Sequence, residues 1–187
     1  MNQTRRHRLC VTPIAVTSPC SPKPTRPLPA IDWRSDLVEQ VVLYSAQPTL
    51  ILPCAGRLDS IGTQIMVAWN DSRGSARAVS DAMPLLRLAK RVVVISWNEA
   101  GAIENKTLGP RLEALHRWLM WQGVSADVSF ETTGIGIAEA MLSRAADLGA
   151  DLIVMGAYGH ARWAERVLGG ATRGLLASMT IPVLMSH

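Results

Sequence analysis

From residue 64 onward, short apolar runs alternate with longer stretches in which apolar residues recur at helical spacing. The runs QIMVAW, RVVVIS, ADVSFE, DLIVMG and IPVLMS predict five strands. Between them, the pattern predicts helices at about residues 75–89, 106–122, 137–148 and 171–179. Strict alternation of strand and helix favours parallel βαβ units with helices on both faces. The predicted fold class is therefore α/β, with a five-stranded parallel sheet.

A second helix-and-strand pattern lies before this region. Setting DLVEQVVLYSAQPTLIL beside GATRGLLASMTIPVLMS aligns Pro48 with Pro182 and Leu50 with Leu184, an offset of 134 residues (182 − 48). Because helix, turn, proline and apolar strand recur in the same order, we interpret them as an internal repeat whose front is missing.

This repeat divides the chain into three parts. Residues 36–60 are interpreted as the remnant helix and strand of a preceding repeat plus a linker, and residues 61–187 as one complete domain. An apolar strand leaves unpaired backbone groups at its edge when it is isolated. We therefore expect residues 49–52 to pair with the edge near residues 182–185, in the same chain or in a partner.

The first part, residues 1–35, lacks apolar periodicity and holds six of the eleven prolines, which predicts a disordered leader. A targeting segment and a non-native leader both remain open interpretations. Residues 1–33 carry five basic side chains and one acidic one, and this excess of +4 equals the net charge of the whole chain. Since nucleic-acid binding requires basic residues gathered on the folded domain, the charge argues against a nucleic-acid partner.

The composition indicates one globular domain, with 187 residues, 48% hydrophobic and 18% charged. The apolar runs are shorter than the roughly 18 residues of a membrane-spanning helix, so no membrane partner is expected. Cys10, Cys20 and Cys54 do not have the spacing of a metal site or a disulfide framework. The expected location is the reducing cytoplasm, without a bound metal in the protein itself.

A glycine-rich segment, GAYGHARWAERVLGG, follows the apolar run DLIVM. It matches neither the P-loop nor the dinucleotide fingerprint. Where such a loop enters a helix, free backbone N–H groups and the positive end of the helix dipole favour an anion, and glycines allow close approach. Positively charged or titratable side chains nearby are either part of this site or ordinary solvated surface, namely His160, Arg162, Arg166 and Arg173.

The spacing of these glycines resembles the signature of the universal stress protein family. That signature is Gly, two residues, Gly, nine residues, then Gly followed by Ser or Thr, and here Gly156, Gly159 and Gly169 fit it. The stretch VAWNDSRGSARAV is similar to the first strand and helix of the family, and IPVLM to its last strand. The resemblance covers residues 61–187.

The resemblance implies a five-stranded parallel sheet and a homodimer that pairs through the last strand. Many members bind ATP, with adenine near the ends of the first two strands and phosphates at the glycine loop. Carried over to this sequence, the implied ligand is ATP with magnesium, and Trp97 is a candidate wall of the adenine pocket. The implied site residues are Ala68, Asn70, Met155, Gly156, Gly159, His160, Arg162, Gly169, Gly170 and Ala171.

Two positions depart from the family pattern. Gly170 stands where the family has Ser or Thr, so a helix-capping hydroxyl is replaced by a glycine N-cap. Asn70 stands where ATP-binding members have an Asp that accepts from the adenine amino group. The hydrogen bond lost with the hydroxyl is worth about 1.5 to 3 kcal/mol, and the Asn70 amide oxygen can still accept but without the assistance of charge. Together, the two departures are expected to lower the affinity by roughly tenfold to a thousandfold.

The leading hypothesis for function is a stress-response module that binds a nucleotide and acts through dimerisation and partner contacts. An alternative is a structural or interaction domain that works without nucleotide. A weak ATP hydrolase is disfavoured, because the sequence contains no cluster of metal-binding carboxylates, no activated nucleophile and no Walker-type lysine.

Overall fold

The computed structural model describes residues 9–13, 33–45, 47–53, 58–99, 108–157 and 170–187. The strands are β1 (Leu9–Pro13), β2 (Thr49–Pro53), β3 (Gln64–Ala68), β4 (Arg91–Glu99), β5 (Ala126–Thr133), β6 (Leu152–Gly156) and β7 (Val183–Ser186). The helices are α1 (Trp33–Tyr44), α2 (Arg73–Leu86), α3 (Leu108–Trp121), α4 (Ile137–Leu148) and α5 (Gly170–Ser178). All five predicted strands and all four predicted helices of the main domain are present.

The strands form one seven-stranded sheet in the order β1-β2-β7-β6-β3-β4-β5. Strands β3 to β7 are mutually parallel, which confirms the predicted five-stranded parallel sheet. The predicted strand count is nevertheless too low for the whole sheet. Strand β2 adds antiparallel to β7, and β1 adds antiparallel to β2.

Strand β2 bears out the expected pairing of residues 49–52 with the final strand, and it does so within one chain. Thr49, Leu50 and Ile51 lie opposite Met185, Leu184 and Val183. Strand β7 therefore has a neighbour on each edge, β6 and β2. While β2 is in place, a second copy of the chain cannot add to β7, so the predicted homodimer through the last strand does not fit this arrangement.

Strand β1 lies inside the segment that was predicted to be a disordered leader. Residues 9–13 pair with β2 along its full length, from Leu9 opposite Pro53 to Pro13 opposite Thr49. The prediction is wrong for these residues because β2 offers an unpaired edge, which supplies hydrogen-bond partners that no local pattern in the leader reveals. Pro13 is tolerated there because β1 is an edge strand.

Both faces of the sheet are covered, because residues of one strand alternate between two apolar clusters. In β3, Ile65 and Val67 pack under α2 and α3, whereas Met66 packs on the opposite face with residues of α1, α4 and α5. Burial on both faces explains why these strands read as continuous apolar runs rather than alternating ones.

The connection from β2 to β3 is fastened at the amino ends of the strands by Asp151, which directly precedes β6. The Asp151 carboxylate accepts four hydrogen bonds, from Ser60 Oγ (2.7 Å) and from the backbone N–H groups of Gly62, Thr63 and Gln64 (3.0, 3.0 and 2.9 Å). Burial by itself raises the pKa of this carboxyl group, but the four hydrogen bonds outweigh it and hold the pKa below its usual range.

Candidate functional site

The order of the parallel strands reverses at β3, which has β4 on one side and β6 on the other. The chain passes from β3 to β4 in one direction and later returns to β6 in the other. In open α/β sheets, ligands bind in the crevice outside the carboxyl ends of the strands at such a switch point. The candidate site is therefore the crevice at the carboxyl ends of β3 and β6.

The floor of this crevice is apolar. Ala68, at the end of β3, lies opposite Met155 of β6, and both belong to the cluster on the α4 and α5 face. Trp97 of β4 is half-buried against the same cluster, at the side where the sequence placed a pocket wall. Trp69 points to the opposite face and is buried with residues of α2 and α3, so it does not close the crevice.

The sequence analysis assigned Gly156 to ligand binding, but in the structure this glycine has a packing role. A Cβ built on Gly156 would lie 2.3 Å from the backbone N of Ser75 and 2.4 Å from the carbonyl carbon of Gly74. Gly74 in turn faces the carbonyl oxygen of Ala157, 3.1 Å from its own ideal Cβ. The absence of a side chain at Gly156 therefore lets the amino end of α2 lie directly on the end of β6.

The amino end of α2 is closed by its own side chains. Ser72 is the N-cap, and its Oγ accepts from the N–H of Ser75 (3.1 Å), while Ser75 Oγ accepts from the N–H of Ser72 (3.0 Å). This reciprocal pair is a capping box that satisfies two of the N–H groups a helix start leaves without partners. Helix α2 is consequently a poorer anion site than an uncapped helix.

Asn70, the candidate base contact, is exposed and lies two residues beyond β3. Its Oδ1 accepts from the N–H of Ser72 at 3.3 Å, so the amide oxygen turns toward the chain's own backbone. Asn70 is thus positioned at the crevice, but its acceptor atom is partly used.

Asp71, the next residue, has a left-handed backbone with φ of 57°. Its carboxylate pairs with the guanidinium of Arg111 in the first turns of α3. Arg111 was not identified from the sequence, since it is 40 residues away and carries no motif. The Asp71 carboxylate therefore already has a partner within the chain.

Two other helix starts lie at the same end of the sheet, those of α4 and α5. The N-cap of α4 is Gly136, which makes no side-chain capping hydrogen bond. Gly174 of α5 approaches Ala138 of α4 so closely that a Cβ there would lie 3.0 Å from the Ala138 Cβ. The first turn of α4 therefore lies against the middle of α5, and both helices begin at the end of the sheet that holds the crevice, where the positive ends of their dipoles favour a bound anion.

The ten predicted site residues fall into three groups. Ala68, Asn70, Met155 and Gly156 lie at the carboxyl ends of β3 and β6, and Gly170 and Ala171 begin α5. Helix α5 begins at Gly170, the residue that the sequence placed at its amino end. Outside the described residues lie Gly159, His160, Arg162 and Gly169.

The part of the chain that the structure describes contains neither a membrane-spanning helix nor a cluster of metal-binding side chains. None of its helices has both the length and the hydropathy needed to cross a membrane. Its His, Cys, Asp and Glu side chains form no group of three or more that could hold a metal ion.

Comparison with known proteins identifies relatives of the main domain. The model of the universal stress protein family matches residues 63–187. No curated protein sequence matches the chain. A universal stress protein from Archaeoglobus fulgidus is 18% identical with a TM-score of 0.55, the match covering 65% of this chain and 96% of that one.

Two more solved structures have the same fold. The universal stress protein from Lactobacillus plantarum is 17% identical with a TM-score of 0.52, covering 67% of this chain and 97% of that one. The universal stress protein from Archaeoglobus fulgidus in complex with dAMP is 19% identical with a TM-score of 0.52, covering 66% and 97%.

Proposed function

Because the chain belongs to the universal stress protein family, we propose that it is a stress-response module that binds an adenine nucleotide, with ATP and magnesium as the leading ligand. The base occupies the crevice at the carboxyl ends of β3 and β6, and the phosphates lie toward the start of α5. The protein acts by binding and by contacts with partners, without chemistry of its own.

The observation that carries this proposal is the convergence of three features at one end of the sheet. The switch in strand order lies between β3 and β6, and an apolar floor formed by Ala68, Met155 and Trp97 borders it. The first turn of α4 packs against the middle of α5 beside that floor, and both helices begin at this end of the sheet. A flat apolar base and a charged phosphate group require this combination of surfaces.

The related protein from Archaeoglobus fulgidus in complex with dAMP supports the choice of an adenine nucleotide. The two departures in this chain lower the expected affinity. Asn70 has its acceptor oxygen partly engaged by Ser72, and Gly170 brings no hydroxyl to the start of α5. The affinity of this chain for the nucleotide is therefore lower than that of a site with Asp and Ser at these positions.

Thermal unfolding with and without ATP and magnesium tests the proposal, since a ligand that binds only the folded state raises the melting temperature. The double variant Asn70→Asp with Gly170→Ser should bind at least tenfold more tightly than the natural chain, because the serine hydroxyl restores a hydrogen bond worth about 1.5 to 3 kcal/mol and the aspartate restores a charged acceptor.

A matched control adds a carboxylate at the opposite end of the sheet. Ser125→Asp changes an exposed residue just before β5 and should leave nucleotide affinity unchanged. If millimolar ATP stabilises neither the natural chain nor the double variant, the crevice does not bind nucleotide.

A second candidate function is an interaction domain that works without nucleotide. The hydrogen bond from Ser72 to Asn70 and the pairing of Asp71 with Arg111 favour it, because both polar groups at the end of β3 already have partners within the chain. Failure of both proteins to respond to ATP would support this alternative.

A further inference from the structure

Strand β2 and strand β7 are related by an approximate two-fold axis. In the sequence alignment of the repeat, Leu50 corresponds to Leu184, and in the sheet Leu50 lies directly opposite Leu184. Thr49 lies opposite Met185, and Ile51, the repeat equivalent of Met185, lies opposite Val183, the equivalent of Thr49. Equivalent residues thus exchange places across the pair, which is the register of an isologous contact between two copies.

The helices that precede these strands follow the same relation. Helix α1 buries Val38 and Val42, which are 1% and 2% exposed. Their repeat equivalents in α5 are Thr172 and Leu176, which are also buried, at 4% and 8%. Val38, Val42 and Leu176 share one apolar cluster on one side of the sheet. The unit α1–β2 therefore contacts the sheet as a second α5–β7 unit would.

The connection between β2 and β3 favours pairing within the chain. Asp151 fixes Ser60 beside the start of β6, so seven residue steps separate Pro53 from the fastened point. Seven residues reach up to about 24 Å, whereas β2 and β6 are separated by two strand spacings, about 10 Å. A tether of this length gives an effective concentration in roughly the millimolar range, above that of a second copy at micromolar protein.

We propose that α1–β2 is a built-in substitute for the α5–β7 unit of a second copy, and that it keeps the chain monomeric by covering the β7 edge. When α1–β2 is displaced, two copies pair β7 to β7, antiparallel, about an axis at Leu184. The partner of this surface is a second copy of the same chain. The inference does not depend on nucleotide binding.

The full chain with Ile51→Asp tests this proposal. Ile51 is 0% exposed and belongs to the covering unit, so a buried charge there detaches β2 without altering a side chain of residues 58–187. The matched control is Tyr44→Asp, which places the same charge in the same unit at a residue that is 84% exposed. Sedimentation gives the mass, and hydrogen exchange reports the backbone amides of residues 183–185.

The natural chain and the Tyr44→Asp control should sediment as monomers. The Ile51→Asp variant should sediment with twice that mass while the amides of residues 183–185 remain protected, and excess peptide of residues 33–53 should return it to a monomer. A dimeric natural chain, or an Ile51→Asp variant that stays monomeric, would overturn the proposal.

A second variant, Val38→Asp, guards against simple misfolding, since Val38 lies on α1 outside the sheet. It should also give the dimer. If both variants lose their far-ultraviolet circular dichroism, α1–β2 is an integral part of the core rather than a replaceable cover, and the proposal is wrong.

Discussion

Replacing Gly156 by alanine separates a packing role for this glycine from a role in ligand binding. The added Cβ would lie 2.3 Å from Ser75 N, 2.4 Å from Gly74 C and 2.9 Å from Ser75 Cα. Carbon atoms in contact normally lie about 3.5 to 4.0 Å apart, so the start of α2 must move away by roughly 1 Å. All three atoms belong to the backbone, and no side-chain rotation relieves the overlap.

The start of α2 resists this movement because it is held by the capping box of Ser72 and Ser75. Overpacking a well-packed site costs about 1 to 3 kcal/mol, and contacts with fixed backbone place Gly156→Ala at the upper end, at about 3 kcal/mol. For a chain of this size, each kcal/mol lowers the melting temperature by about 2 to 4 °C, which predicts a fall of roughly 6 to 12 °C.

Urea unfolding at neutral pH without nucleotide, followed by circular dichroism, measures this loss. Gly134→Ala is the matched control, because a Cβ at Gly134 has no atom within 4 Å and its φ is not positive. The unfolding free energy of that control should stay within about 0.5 kcal/mol of the value for the natural chain, or should be slightly higher. A Gly156→Ala protein as stable as the control would refute the packing role, and it would favour the ligand-binding interpretation of Gly156.

Three further predictions concern hydrogen bonds and ion pairs. Asp151→Asn should cost about 1 to 3 kcal/mol at pH 7 in urea unfolding, because an amide cannot accept all four hydrogen bonds. The folded-state pKa of Asp151 is lowered, so its contribution is complete above the unfolded value of about 3.9 and is lost as pH falls through the folded value. The difference in unfolding free energy between the natural chain and Asp151→Asn should therefore become smaller in acid. A difference that grows in acid would contradict the hydrogen-bond assignment. Ser72→Ala should lower the unfolding free energy by about 0.5 to 2 kcal/mol, and no loss would mean that the cap is unimportant. Arg111→Ala should change it by less than about 1 kcal/mol, since the side chain is 60% exposed, and a larger loss would show that the Asp71 pair is structural.

The parallel sheet could be predicted from the sequence because four of its five strands, β3, β4, β6 and β7, are buried on both faces. Burial on both sides produces runs such as DLIVMG, and these runs alternate with helical patterns without interruption. The pairing of β2 with β7 was also predictable, since the repeat and the need to cover an apolar edge point to the same contact. Strand β1 was not predictable from the sequence, because its residues form a strand only when the edge of β2 is present.

The site was predicted less completely, for three physical reasons. A glycine looks the same in the sequence whether its missing side chain makes room for a ligand or for a helix. The packing of Gly156 on α2 could therefore not be predicted from the sequence. The ion pair of Asp71 and Arg111 joins residues 40 positions apart. The capping box of α2 uses Ser75 where the usual signature has Glu or Gln, so the helix start was placed two residues too late.

Binding of an adenine nucleotide at the carboxyl ends of β3 and β6 can be followed residue by residue. The isotopically labelled full chain is titrated with ATP and magnesium while its backbone amide resonances are recorded. Resonance shifts are expected at residues 68–71, 155–157 and 170–172, with none at residues 60–64, which lie at the opposite end of the sheet. Unchanged spectra at millimolar ATP, or shifts confined to residues 60–64, would contradict binding at these strand ends.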